Sequence, residues 1–212
     1  MTSKFISSLF NFVIYTTAKY NIDESHGISH SMNVLHMARN ILEYECITNS
    51  GIREHERIIY ASATLHDMCD KKYMDEKAGL LEIQIFLEDK MVKKEIDVVK
   101  DIISSMSYST VKKKGFPELG EYQMAYHIVR EADLMTAYDF DRSMIYHLYK
   151  STDDIESAFH NADELFKNRV FQHNNDGLFI TEYSKKYHIE LQNQACFRIK
   201  NWKRILGLKK TI

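Results

Sequence analysis

Residues 58–72 read IIYASATLHDMCDKK. Ile58, Ile59, Ala61, Ala63 and Leu65 recur at helical spacing, so the stretch predicts a helix. That helix runs directly into an adjacent histidine and aspartate, His66 and Asp67. The pair has an ordinary explanation: an imidazolium suits the negative end of a helix dipole. Two residues do not define a site by themselves. Partners for them have to be sought along the rest of the chain.

Working outward, composition sets the bounds. The chain has 212 residues, enough for one large domain with a substantial core. Its 44% hydrophobic and 27% charged residues are close to globular averages, which excludes bulk disorder. A formal net charge of −2 argues against a binder of nucleic-acid polymers, which must neutralise phosphates. Cys46, Cys69 and Cys196 are odd in number and form no C-x-x-C pair. They read as reduced thiols of an intracellular, cytoplasmic protein. In MTSKFISSLFNFVIYTTAKY (1–20), Ser7, Ser8 and Asn11 interrupt the apolar stretch and no small-x-small cleavage site follows. Phe5, Leu9, Val13 and Ile14 predict a packed first helix instead. No apolar run reaches the length of a membrane span, so a soluble protein without a membrane partner is expected.

Little punctuates the chain. Proline occurs once, at Pro117, and alternating β-branched stretches are few. Val34, Leu35, Ala38, Ile41 and Leu42 mark another helix. Further helices are predicted near 77–90, 92–107, 121–138, 141–150, 154–172 and 179–206. YSTVKKKGFPELGE (108–121), with the basic run Lys112–Lys114, reads as a surface loop, and QHNNDG (172–177) as a polar turn. Neither resembles a linker, so one all-α domain over 1–212 is expected.

Two stretches supply partners for His66 and Asp67. DESHGISHSMNV (23–34) carries His26 and His30, four apart and therefore on one face of a helix that starts early enough. VREADLMTAYDFD (129–141) sets Asp133 within an apolar helical pattern of Ile128, Val129, Ala132, Leu134 and Ala137, where a carboxylate needs a partner. One imidazole of the first stretch, His66, Asp67 and Asp133 would form a mixed nitrogen and oxygen site. Such a set suits Mn, Fe, Co, Ni or Zn better than calcium. A zincin is excluded because H-G-I-S-H at 26–30 lacks the glutamate. No G-x-S-x-G elbow and no phosphate-cradling glycine loop is present.

A histidine, then an adjacent His-Asp, then a distant aspartate in a helical chain resembles the HD superfamily of metal-dependent phosphohydrolases. DESHGISHSMNV is similar to that family's S-H-x-x-x-H-x-x-x-V opening, and TLHDMCDKKY (64–73) to its L-L-H-D-x-x-D-x-K segment. READLMTAYDFDR (130–142) is similar to the D-A-D-x-x-D-A stretch of a small bacterial branch of nucleotide pyrophosphohydrolases. The likeness covers about 21–145, leaving 146–212 as a helical extension. It implies an all-α HD bundle with His30, His66, Asp67 and Asp133 as metal ligands. His30 is preferred to His26 because it precedes Val34 by four residues, as the family ligand precedes its valine. Asp70, four residues after His66 and on its side of the helix, is the candidate general acid or base working with Asp67. Lys72 matches the family lysine as a phosphate contact. His26 reads either as a substrate contact or as a helix-start residue or hydrogen-bond partner behind the ligands. Asn33 and Leu134-Met135-Thr136 depart from the branch pattern at positions that bear on the substrate. Dinuclear members carry further histidines between His-Asp and the last aspartate. Only His127 stands there, so one divalent transition-metal ion is expected. The implied activity is hydrolysis of a phosphoester or phosphoanhydride bond in a nucleotide or related small phosphate compound. The alternative is a catalytically silent regulatory module that binds metal and nucleotide.

Overall fold

In the computed structural model, which describes residues 3–150 and 154–208, the periodicities become ten α-helices and four short 3-10 helices. No strand occurs among the described residues, so the all-α expectation holds. None of these helices is long and apolar enough to cross a membrane. Contacts cluster in two compact units, Met1–Asp133 and Leu134–Ile212.

The first unit is built around helix α3 (Glu56–Leu65). Every residue from Ile58 to Leu65 is buried, Ser62 and Thr64 included. A helix apolar on all sides must be covered on all sides. Its neighbours are α1 (Ser3–Tyr20), α2 (Ile28–Glu45) and α5 (Lys93–Ser105). Helix α2 contributes Val34, Ala38, Ile41 and Leu42, while Leu35 lies at the edge of the stripe. Helix α1 buries Phe5, Leu9, Val13 and Thr16. Ile14 points outward, half exposed at 51%, contrary to expectation, because the stripe continues through Thr16 instead.

Helix α4 (Glu76–Leu87) begins on an Asp75 cap whose carboxylate accepts from the Ala78 N–H. The stretch read as a surface loop at 108–121 is a loop only in part. Tyr108–Lys114 forms a further helix, α6. Ser107 caps it by accepting from the Thr110 N–H, and Val111 anchors it in the core. Lys112–Lys114 occupy the last turn, where cations suit the dipole. Gly115, at φ +78°, ends the helix. Helix α7 (Gln123–Thr136) follows and carries Asp133.

In the second unit α8 (Phe140–Lys150) pairs with α9 (Ile155–Asn168). Phe140 meets Phe159 and Phe166 edge-on at centroid distances of 5.6 and 5.1 Å. Helix α10 (Glu182–Ile205) is held to α8 through Asp141, which accepts from Arg198 and from the Trp202 indole N–H at 2.7 Å.

Candidate metal centre

Four donor atoms from three helices converge in the first unit. His30 comes from the first turns of α2 and Asp133 from the last turn of α7. His66 is the C-cap of α3 and Asp67 follows it in the turn. The two imidazole Nε2 atoms are 3.2 Å apart. Asp67 Oδ2 lies 3.4 Å from His30 Nε2 and 3.3 Å from His66 Nε2. Asp133 Oδ1 lies 3.4 and 3.6 Å from the same two nitrogens. Donors about 2.1 Å from a shared ion stand about 3.0 Å apart when adjacent in an octahedron and about 3.4 Å apart in a tetrahedron. The separations of the two imidazole nitrogens from each other and from each carboxylate are close to that spacing.

Two further observations test the fit. Asp67 Oδ2 is buried and receives no hydrogen bond, a costly state for a carboxylate oxygen unless a cation meets it. His66 Nδ1 lies 2.9 Å from the Ala63 carbonyl, which can only accept, so Nδ1 carries a proton and Nε2 is the ring nitrogen turned to the cluster. The charges agree. Burial opposes protonation of His66, but the Asp67 and Asp133 carboxylates outweigh it and hold its pKa well above the ordinary value. Burial would likewise raise Asp67, yet His66 and, behind it, His26 and His30 hold it well below the usual carboxylate range. Asp133 is depressed in the same way, its hydrogen bonds to His30 and His66 prevailing over burial. The cluster therefore draws a positive charge, which a proton or a divalent cation can supply. Two imidazoles and two carboxylates fit a borderline transition metal.

His26 and His30 are not on one helix. His26 closes a 3-10 turn (Glu24–His26), and Gly27 separates it from α2. The turn sets the imidazole against a network that the sequence reading missed. Asp23 accepts from the Ser25 N–H at 3.0 Å, from the Ser25 hydroxyl and from the Tyr73 hydroxyl at 2.5 Å. Each hydroxyl has a single hydrogen, and both are directed at Asp23. Their lone pairs face His26 Nδ1, 2.7 Å from Ser25 Oγ and 3.1 Å from Tyr73 Oη. Nδ1 is thus the protonated nitrogen, and Nε2 accepts from the Lys72 ammonium at 3.1 Å. The Asx-type pattern D-x-S at 23–25 could have flagged this turn. Nothing in the sequence pointed to Tyr73.

Asp70 has the two contacts that suit a structural carboxylate. Oδ1 accepts from the Lys72 backbone N–H at 2.9 Å, and Oδ2 lies 3.3 Å from Lys72 Nζ. It also forms a cluster with His26 and Asp67 whose donor atoms are all within 4.8 Å of one another. Every sequence-derived site residue thus falls in one place: His30, His66, Asp67 and Asp133 at the centre, with His26, Asp70 and Lys72 beside Asp67. Lys112–Lys114 stand in the last turn of α6.

No family model matches the chain, and no curated protein matches it. The structure is similar to the crystal structure of a Lactobacillus plantarum protein, a Northeast Structural Genomics target. The TM-score is 0.72 over 98% of this chain and 99% of that one, at 16% identity. At that identity the likeness shows a shared fold and nothing about activity.

Proposed function

We propose that this chain is a metal-dependent phosphohydrolase of the HD superfamily, acting on a nucleotide or related small phosphate compound. The observation that carries the reading is the convergence of His30, His66, Asp67 and Asp133, separated by more than a hundred residues of chain, onto one point at ligand spacing. These residues would hold one divalent transition-metal ion. When bound, it supplies Lewis-acid polarisation of a phosphoryl oxygen and acidifies a water.

The chain's own side chains account for the rest. Asp70 is the carboxylate beside Asp67 that lies outside the donor set, and it accepts the proton of the attacking water. Its orientation is fixed by the Lys72 N–H, so it need not reorganise during reaction. Lys72 brings an ammonium beside Asp70 and is partly exposed at 42%, so it would meet phosphate oxygens arriving from solvent. His26 keeps Nε2 toward Lys72 and so orients the ammonium.

The test is hydrolysis by metal-loaded protein of a panel of nucleotides, dinucleotides and sugar phosphates, with phosphate and pyrophosphate detected separately. Turnover that is lost on chelation and restored by metal is expected. Tight metal binding with no turnover on any member would instead favour a regulatory module.

A further inference from the structure

A second group of donors adjoins the first. His26, Asp67 and Asp70 each offer one atom to a cluster confined within 4.8 Å, and Asp67 belongs to both groups. Two donors each about 2.1 Å from one ion lie at most about 4.2 Å apart. The three would have to draw together to close on a cation.

A cation is already in that place. Lys72 Nζ lies 3.1 Å from His26 Nε2 and 3.3 Å from Asp70 Oδ2. His26 is prepared for one: it is 7% exposed, and the hydroxyls of Ser25 and Tyr73 leave its Nε2 as the lone-pair nitrogen. A nitrogen in that state can accept from an ammonium or ligate a metal ion. Behind it, the buried Asp23 carboxylate orients the ring through those two hydroxyls, as outer carboxylates do for metal-ligating histidines.

We propose that the Lys72 ammonium occupies the place of a second divalent ion, so that the centre pairs one metal ion with one lysine and the two sites adjoin at Asp67. Removing the lysine then opens a second metal site formed by His26, Asp67 and Asp70. Where two ions would clamp the attacking and leaving oxygens of a phosphoryl group, this centre offers one ion and one ammonium on a flexible stem. The inference rests on the metal site proposed at His30, His66, Asp67 and Asp133.

Equilibrium dialysis against Mn²⁺, read together with the electron paramagnetic resonance spectrum, tests it without reference to activity. Wild-type protein should hold about one ion per chain with an isolated-ion spectrum. Lys72→Ala and, independently, Lys72→Ser should hold about two, with the broadened spectrum of an exchange-coupled pair. Lys72→Arg, which keeps a cation in place, should stay at about one. Adding Asp70→Asn to Lys72→Ala should return the count to about one. A count of one in both Lys72→Ala and Lys72→Ser, or of two in the wild type, overturns the lysine's role while leaving the first site standing. A wild-type count of zero overturns the first site itself.

Discussion

Asp67 stands at the meeting point of both donor groups, and its neighbours fix what its loss would do. Oδ2 lies beside the two imidazole nitrogens and receives no hydrogen bond, so Asp67→Ala removes a donor and a negative charge together. Metal affinity should fall more than about a hundredfold, beyond the range typical of outer-shell losses, and hydrolysis with it. Metal analysis after dialysis checks this, and unchanged content would remove the site assignment. Asp70→Asn tests a different role. The amide oxygen can still accept the Lys72 N–H, so the turn should survive and the metal should stay. Loss of the proton acceptor should lower kcat by about a hundred- to ten-thousandfold. Steady-state kinetics with metal content measured in each sample decides it; loss of metal would make Asp70 a ligand. At this scale the sequence was informative, because ligand chemistry belongs to residue types and His66-Asp67 are adjacent. Tyr73 was illegible because its role comes from a hydroxyl 2.5 Å from a residue fifty positions away.

At the level of elements, α4 is seated on the turn that carries His66 to Lys72 through one glycine. A Cβ on Gly79 would lie 2.6 Å from Cys69 Cβ, 2.8 Å from Cys69 Cα and 2.9 Å from Met74 Sδ. Alanine normally favours a helix interior over glycine by about 1 kcal/mol. Here the overlap is with backbone, and overpacking of about 1–3 kcal/mol outweighs that gain. Gly79→Ala should therefore lower the unfolding midpoint in urea and weaken metal binding as the turn shifts; a stabilised variant would refute the close seating. Helix α7 makes a second prediction. Burial, with the Arg130 charge in support, pushes His127 down to about 4. It is faced by Arg130, by Glu131 at 4.0 Å and by Gln123. An unfolded histidine titrates near 6.5, so between that pH and about 4 the unfolded chain binds a proton that the folded chain does not. Stability is fully present above the unfolded value and falls as pH falls through this window, by up to about 3 kcal/mol. Urea unfolding of metal-free protein at several pH values should show His127→Gln losing less stability than wild type from pH 7 to 4.5; parallel profiles would contradict it. The short helix α6 escaped the sequence reading because seven residues are too few to show a period, and its stability comes from the Ser107 cap and buried Val111.

For the whole molecule, the donor set is coupled to folding. All four donors lie within the unit Met1–Asp133 but are drawn from α2, the end of α3 and α7, so only the folded chain presents them together. An ion that binds the native state alone stabilises it by about 2.7 kcal/mol at a hundred times its dissociation constant. For a chain of this size that is a rise of several degrees in the unfolding midpoint. Differential scanning calorimetry of metal-free protein with added Mn²⁺ or Co²⁺ should show the rise, and chelation should reverse it. Asp67→Ala should show none. Equal shifts in both proteins would locate the binding elsewhere.

What the sequence determined by itself was the class of structure and the chemical types at the centre. Helical period is a local property, set by side chains three and four positions apart, so α2, α3 and α7 could be read directly from their apolar spacing. The chain alone did not say how many helices meet at one point, or that Ile14 would yield its place to Thr16. Only the tertiary structure decided the 3.2–3.6 Å separations at the centre. It alone placed Lys72 between His26 and Asp70 and set Asp23 and Tyr73 behind them. Those relations depend on through-space distance between segments whose sequence separation carries no geometric information until helix packing brings them together.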